Sequence, residues 1–409
     1  MISGVADCGL RYAVKKSGSS VAYCALSIKC GTRDEQGYHG GLAHFLEHTI
    51  FKGTEKKSAA VINSYLDRLG GELNAFTTKE EIVIHATVLK EDLHKAAALL
   101  FELATSPRFP QQEIETEKGV VIDEIHSYKD SPSEDIYDKF EEMLFEGHPL
   151  SGNILGTTAS VKKINREELL RFAKEKFIPE RMAFSIVADI DEKKLEKEAQ
   201  KLCQQFFSKH IAVETPVHEK VEHNYTPFDK TLNKRNHQAN CIIGGPAPSL
   251  YQERERLATV LLCNILGGPA NNAILNSVLR EKNGWVYGAE CSYTQFADTG
   301  MVAISIGCDK ANLDKCIETT YKELRKLQAE PLSDRKLKAA KKQLLGQLAI
   351  SGDNGETQCL SMGKSLLAYG KINGTKETRE LIENITAADI QQIACTVFDP
   401  TRLSKLIYI

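Results

Sequence analysis

The sequence has no apolar run approaching the roughly 20 residues that a bilayer-spanning helix needs, so no membrane partner is expected. Its first residues, MISGVADCGLRYAVKKSG, lack the long apolar stretch of a secretion signal, and the chain reads as cytoplasmic. No C-x-x-C pair occurs among the eleven cysteines, which are odd in number and scattered. Most lie in apolar runs such as LLCNIL, which points to small buried thiols in a reducing compartment, not to a disulfide framework. The net charge is −3, so no nucleic-acid partner is expected. What is present is core material: 42% of residues are hydrophobic and 26% charged, a globular composition. At about 150 residues per domain, 409 residues predict two or three domains.

Strand-like and helix-like segments alternate, and the order runs twice. VAYCALSIKCG reads as a strand with a glycine stop, and GGLAHFLEHTIFKG as a short amphipathic helix. The helix AAVINSYLDRLGG, the strands in ELNAFTTKEEIVIHATVL and the helices EDLHKAAALLFELATSPRF and EIETEKGVVIDEIHSY follow. REELLRFAKEKF and the strand AFSIVADI close the first round. The second round uses NCIIGGPA, RERLATVLLCNILGG, AILNSVLREKNG, ECSYTQFADTGMVAISIGC, ANLDKCIETTYKELRKLQ, DRKLKAAKKQLLGQL, ITAADIQQIACTVF and LSKLIYI in the corresponding places. A duplicated α+β unit accounts for this: two homologous sandwich-like domains, each a mostly antiparallel sheet packed with helices. The expected division is an N-terminal domain at 1–212, a polar linker at 213–234 and a homologous C-terminal domain at 235–409.

One round carries chemistry that the other lacks. His44 and His48 are four residues apart in GGLAHFLEHTIFKG, so on a helix both rings leave one face and can grip a single metal ion. Glu47 lies at the edge of that face, where it can act as general base on a water at the metal. Without further ligands, two ordinary surface or core histidines would explain the pattern equally well. A catalytic zinc takes a third protein ligand from another element, and Glu124 is the candidate. Glu117 precedes it by seven residues, two helical turns, and shares its face amid Val120, Val121, Ile122 and Ile125. The competing reading of that face is a solvated acidic edge.

GTRDEQGYHGGLAHFLEHTIFKGT, then GGELNAFTTKEE, then ETEKGVVIDEI at this spacing resemble the pitrilysin family of inverted zinc peptidases. The similarity is strongest to its short members, akin to the mitochondrial processing peptidase. The resemblance implies one zinc per chain, bound by His44, His48 and Glu124, with Glu47 activating water. It makes Glu117 the carboxylate that orients a ligand histidine through its far nitrogen. It also implies that Asn74, Ala75, Phe76 and Thr77 form a strand that pairs with an extended peptide substrate, although the residue types alone fit a simple buried strand. Arg280 and Tyr287 match the family's R-x-x-x-G-x-x-Y pair, an arginine for a substrate carbonyl and a hydroxyl for the oxyanion. Gly267 and Gly268 end a helix and read either as its C-cap or as part of a substrate-guiding loop. Short family members assemble as dimers, so a homodimer is expected in which each chain completes the other's site. The expected activity is metalloendopeptidase cleavage of peptides or unfolded polypeptides. The alternatives are a non-catalytic or partner-dependent processing-peptidase-like subunit and a hydrolase of non-peptide substrates.

Overall fold

Strand β3 (Val21–Ile28) and strand β6 (Met182–Ala188) are nearly unbroken apolar runs, which is the pattern of strands covered on both faces. The computed structural model, which describes residues 1–207, 221 and 225–409, places both at the centre of a six-stranded sheet. Around them lie β1 (Ile2–Val5), β2 (Arg11–Lys16), β4 (Glu72–Thr77) and β5 (Ile82–Leu89), in the order β1-β2-β6-β3-β5-β4. The β2–β6 pair is parallel and the rest antiparallel. At one edge, β4 alternates between exposed Glu72, Asn74, Phe76 and half-buried Leu73, Ala75, Thr77, as a strand flanked on one side only should.

The first half also forms α1 (Leu42–Ile50), α2 (Ala59–Tyr65), α3 (Leu93–Thr105), α4 (Gln111–Lys129) and α5 (Pro132–Leu144). They are followed by α6 (Thr158–Val161), α7 (Arg166–Lys176) and α8 (Glu192–Phe206). Leu100 and Phe101 of α3 and Leu195, Ala199 and Leu202 of α8 share one core with Leu26, Ile84 and Phe184 of the sheet.

The second half contributes β7 (Asp229–Leu232), β8 (Gln238–Ala247), β9 (Val286–Gln295), β10 (Gly300–Asp309) and β11 (Ser404–Tyr408). Their order, β7-β11-β8-β10-β9, repeats β2-β6-β3-β5-β4 with the same single parallel pair. Its helices are α9 (Glu253–Gly267), α10 (Leu313–Ala329), α11 (Asp334–Ser351), α12 (Gly355–Tyr369), α13 (Thr375–Glu383) and α14 (Ala387–Val397). The mixed α+β class and the duplication are therefore present at the level of strand order.

By packing, the compact units differ from a cut at one connector. One unit holds residues 1–126, the described part of 152–217, and 350–372; the other holds 127–151, the described part of 218–349, and 373–409. In the first unit, Cys359, Met362, Leu366 and Leu367 of α12 cover Ala13, Ala25, Val83, Ala183 and Val187. Small residues allow this close approach, and a Cβ on Gly363 would stand 2.5 Å from Ser27 Oγ. In the second unit, Ile136, Phe140 and Leu144 of α5 cover Ile242, Met301, Ala303 and Leu406. Each unit thus takes one covering helix from the other half of the sequence. Of the expected linker, 213–220 and 222–224 lie outside the described residues, and Asp229–Leu232 is strand β7, which pairs with the last strand. Where AILNSVLREKNG was expected as a plain helix, Asn276–Glu281 is π-wound. Ten of the cysteines are buried and Cys395 is exposed; all eleven are free thiols. No helix among the described residues is long and apolar enough to cross a membrane.

Candidate metal centre

Helix α1 starts after the Gly40–Gly41 pair and buries Leu42, Phe45, Leu46, Thr49 and Ile50. Winding around that apolar anchor turns His44 and His48 towards α4, with ring centroids 4.6 Å apart. On α4 the inward stripe is Ile114, Glu117, Val121 and Ile125, and Glu124 stands at its edge. Glu124 Oε2 lies 3.4 Å from His48 Nε2 and 3.7 Å from His44 Nε2. One ligand atom from each of the three residues can be chosen so that all lie within 4.8 Å of one another.

These separations suit a divalent cation. Zinc bonds of about 2.0–2.1 Å at tetrahedral angles set neighbouring ligand atoms about 3.3–3.4 Å apart. The chemistry of the donors also fits, because two imidazoles and a carboxylate are zinc ligands and three protein ligands leave one position open. His44 is buried, whereas the Glu124 side chain is 32% exposed, so the site has an accessible side.

The electrostatics point the same way. Burial, with His48 adjacent, drives the His44 pKa down to about 3, so its ring is neutral as a ligand must be. Around His48 burial opposes protonation, yet the bond to Glu117 and the fields of Glu47 and Glu124 outweigh it and raise its pKa. A proton there answers the negative potential that a metal cation would otherwise neutralise.

Behind the candidate ligands, His48 Nδ1 is 2.9 Å from Glu117 Oε1, and Lys52 Nζ is 2.6 Å from Glu117 Oε2. Burial would raise the Glu117 carboxyl, but His48 and Lys52 hold it below its ordinary value. His44 lacks this support, since its buried Nδ1 has no hydrogen-bond partner. Glu47 has its carboxyl pKa raised by burial, against the pull of Thr77, whose hydroxyl donates to Oε2 at 2.8 Å. Thr77 was expected only as part of the substrate strand; in the structure it also fixes the Glu47 carboxylate beside the candidate metal site. Lys52 went unnoticed in the sequence, although its place four residues after His48 was a readable signal.

Asn74, Ala75 and Phe76 lie with Thr77 on β4, hydrogen-bonded to β5 and at the edge of the sheet, so an extended chain has a strand edge to join. Arg280 and Tyr287 belong to the other unit. Arg280 lines a cleft of about 1080 Å³ with Gly267, Gly268, Glu134 and Glu290. Tyr287 is 59% exposed and does not line that cleft; its hydroxyl donates to Asp309 at 2.8 Å, which raises its pKa. Gly268 closes α9 by donating its N–H to the Asn264 carbonyl at 3.1 Å. A Cβ on Gly267 would meet the Cys291 nitrogen at 2.4 Å, so this glycine is needed for close packing of α9 on β9.

Residues 11–158 match the insulinase family, peptidase family M16, and residues 163–344 match the peptidase M16 inactive domain. An uncharacterized zinc protease of Rickettsia bellii is 30% identical over 93% of this chain and 91% of its own length. Another, from Bacillus subtilis, is 29% identical over 90% of this chain and 87% of its own. Among solved structures, a protease from Helicobacter pylori superposes with a TM-score of 0.89 at 18% identity, covering 100% of this chain and 98% of that one. A peptidase M16 inactive domain from Pseudomonas fluorescens gives 0.88 at 16%, covering 100% and 97%. The two structures share the fold. His44, Glu47, His48, Glu117 and Glu124 all fall within the insulinase match.

Proposed function

This chain belongs to peptidase family M16, and from that premise we propose that it is a zinc-dependent endopeptidase acting on extended peptides or unfolded polypeptides. The observation that carries the reading is the convergence of His44, His48 and Glu124 from two helices, with Glu47 held beside them by Thr77. His44, His48 and Glu124 would hold one zinc per chain. When bound, zinc supplies Lewis acidity, polarising a peptide carbonyl and bringing the pKa of a water to about 7. Glu47 takes the proton of the attacking water and returns it to the leaving amine. Its raised pKa suits that exchange, because a base works best with a pKa near the working pH. Thr77 occupies Oε2 and leaves Oε1 for the water. Glu117, clamped by Lys52, keeps the His48 ring in the tautomer whose Nε2 lone pair faces the site. Substrate main chain would pair with the free edge of β4 at Asn74–Thr77.

Arg280 and Tyr287 are assigned to substrate carbonyl and oxyanion by similarity to the family pattern. Tyr287 can donate to an oxyanion only when released from Asp309. The inactive-domain match begins at residue 163, beyond every residue of the proposed metal centre, so it gives no support to a non-catalytic reading of that centre. The test is cleavage of an unstructured peptide library by wild type and Glu47→Gln, with zinc measured on both. A variant that keeps its metal and loses about 10²–10⁴-fold in rate is expected; unchanged cleavage would refute the base assignment. For the proposed homodimer, mixing inactive His44→Ala and Arg280→Ala chains should restore one working site. No recovery would reject sharing between chains.

A further inference from the structure

A nine-residue helix that carries three functional side chains needs a firmly set first turn, because its leading N–H groups have no partners within the helix. The usual remedy is closed to α1. Its N-cap is Gly41, which has no side chain and stands at φ +86°. A Cβ there would lie 2.7 Å from the Leu155 carbonyl oxygen and 2.9 Å from Gly156, so neither serine nor aspartate can cap from this position.

The missing acceptor comes from six residues upstream. Glu35 Oε2 accepts the Gly41 N–H at 2.8 Å, and Oε1 accepts the Ala43 N–H at 2.7 Å. Ala43 immediately precedes His44. The segment carrying Glu35 is itself anchored: Arg33 pairs with Glu80 at 2.7 Å, and its N–H donates to the Lys79 carbonyl at 2.9 Å. Asp34 pairs with Arg181 at 3.2 Å and Lys176 at 3.3 Å. Glu80 and Lys79 belong to the turn that follows Thr77, the residue that holds Glu47. Through Glu35 and Arg33, this segment therefore ties the start of the metal-binding helix to the turn that follows the strand beside the base.

We propose that Glu35 is a positioning residue for the metal centre, holding the first turn of α1 so that His44 reaches the site in register with His48 and Glu124. This rests on the zinc reading above. A fold-stabilising cap would be a poor use of this side chain. Burial pushes its carboxyl up to about 8, against the two N–H groups, so the folded state loses stability as pH rises from the ordinary carboxylate range towards that value, and the loss is complete above it.

The experiment compares wild type, Glu35→Gln and His48→Ala in the full chain, measuring zinc affinity by chelator competition, thermal stability without zinc, and amide exchange at residues 41–46. Glutamine keeps the volume but turns an N–H₂ towards one backbone N–H. Glu35→Gln is expected to keep or raise the zinc-free melting temperature, to exchange its first-turn amides faster, and to bind zinc about 10–100-fold more weakly. Peptide cleavage should lose kcat with KM unchanged. Zinc affinity within twofold of wild type, or a weaker affinity matched by a large loss of zinc-free stability, would overturn the proposal. If His48→Ala binds zinc as wild type does, the metal-site reading itself fails, and that outcome is distinct from failure of Glu35 alone.

Discussion

Helices α1 and α9 follow the same strand in the two repeats, and α4 and α11 occupy the same later step, yet only the first pair carries a set of side chains that could hold a metal. In α9, ERERLATVLLCNILG, there is no histidine, and its acids Glu253 and Glu255 stand in the first turn. Helix α4 bears Glu113, Glu115, Glu117, Asp123 and Glu124; α11 bears Arg335, Lys336, Lys338, Lys341 and Lys342, with no acid beyond Asp334. Both keep an apolar stripe, Ile114, Val121 and Ile125 in one and Leu337 and Leu344 in the other. The scaffold constrains the stripes and leaves the remaining positions free to take opposite charge. Only α4 puts a carboxylate, Glu117, on its stripe, and a buried carboxylate is tolerated because His48 and Lys52 pair with it.

The contrast can be broken most forcefully by giving α4 the charge of α11. Glu124→Lys removes a ligand and plants a cation beside His48, so bound zinc should fall from one per chain to none after dialysis. Metal retained at full stoichiometry would show that the two helices do not differ in the way argued. Next in size is Phe140→Ala on α5, a fully buried ring in the second unit, which should lower unfolding free energy by about 3–5 kcal/mol in urea while leaving zinc affinity of the native protein unchanged. Loss of zinc in that variant under native conditions would contradict a metal centre confined to the first unit. Lys52→Met, which keeps the apolar stem and drops the charge on Glu117, should weaken zinc by about 10–100-fold by chelator competition.

The smallest effect belongs to the second unit. Asp389 is held at a pKa of about 2, chiefly by Arg254, so its contribution is present above the ordinary aspartate value and is lost as pH falls through about 2. The Arg254 side chain is 72% exposed, so solvent screening keeps that contribution small. Asp389→Asn keeps the acceptor for the Thr386 cap, so its melting temperature should trail wild type slightly near neutral pH and converge with it towards pH 2. A gap that persists in acid would assign the effect to the cap.

Short-range periodicity made much of this legible. The four-residue spacing of His44 and His48 and the seven-residue spacing of Glu117 and Glu124 are helix-face statements, and the structure turns both faces towards each other. The apolar runs of β3 and β6 marked central strands. Helix α12 escaped notice because GETQCLSMGKSLLAY mixes small and polar residues, as suits a helix pressed closely on alanines of a sheet. Strands β1 and β7 are four residues each and owe their conformation to their partners β2 and β11.

The amino-acid order alone determined most of the elements, their duplication and the asymmetry of chemistry between the two rounds, because helix and strand periodicities are local properties of the chain. Which half supplies the covering helix of each sheet, the clamp of Lys52 on Glu117, and the bonds from Thr77 to Glu47 and from Glu35 to α1 were decided only by tertiary structure. Those contacts join residues on separate elements or across a turn, and hydrogen bonds of under 3 Å depend on how packed surfaces meet, a quantity no spacing along the sequence encodes.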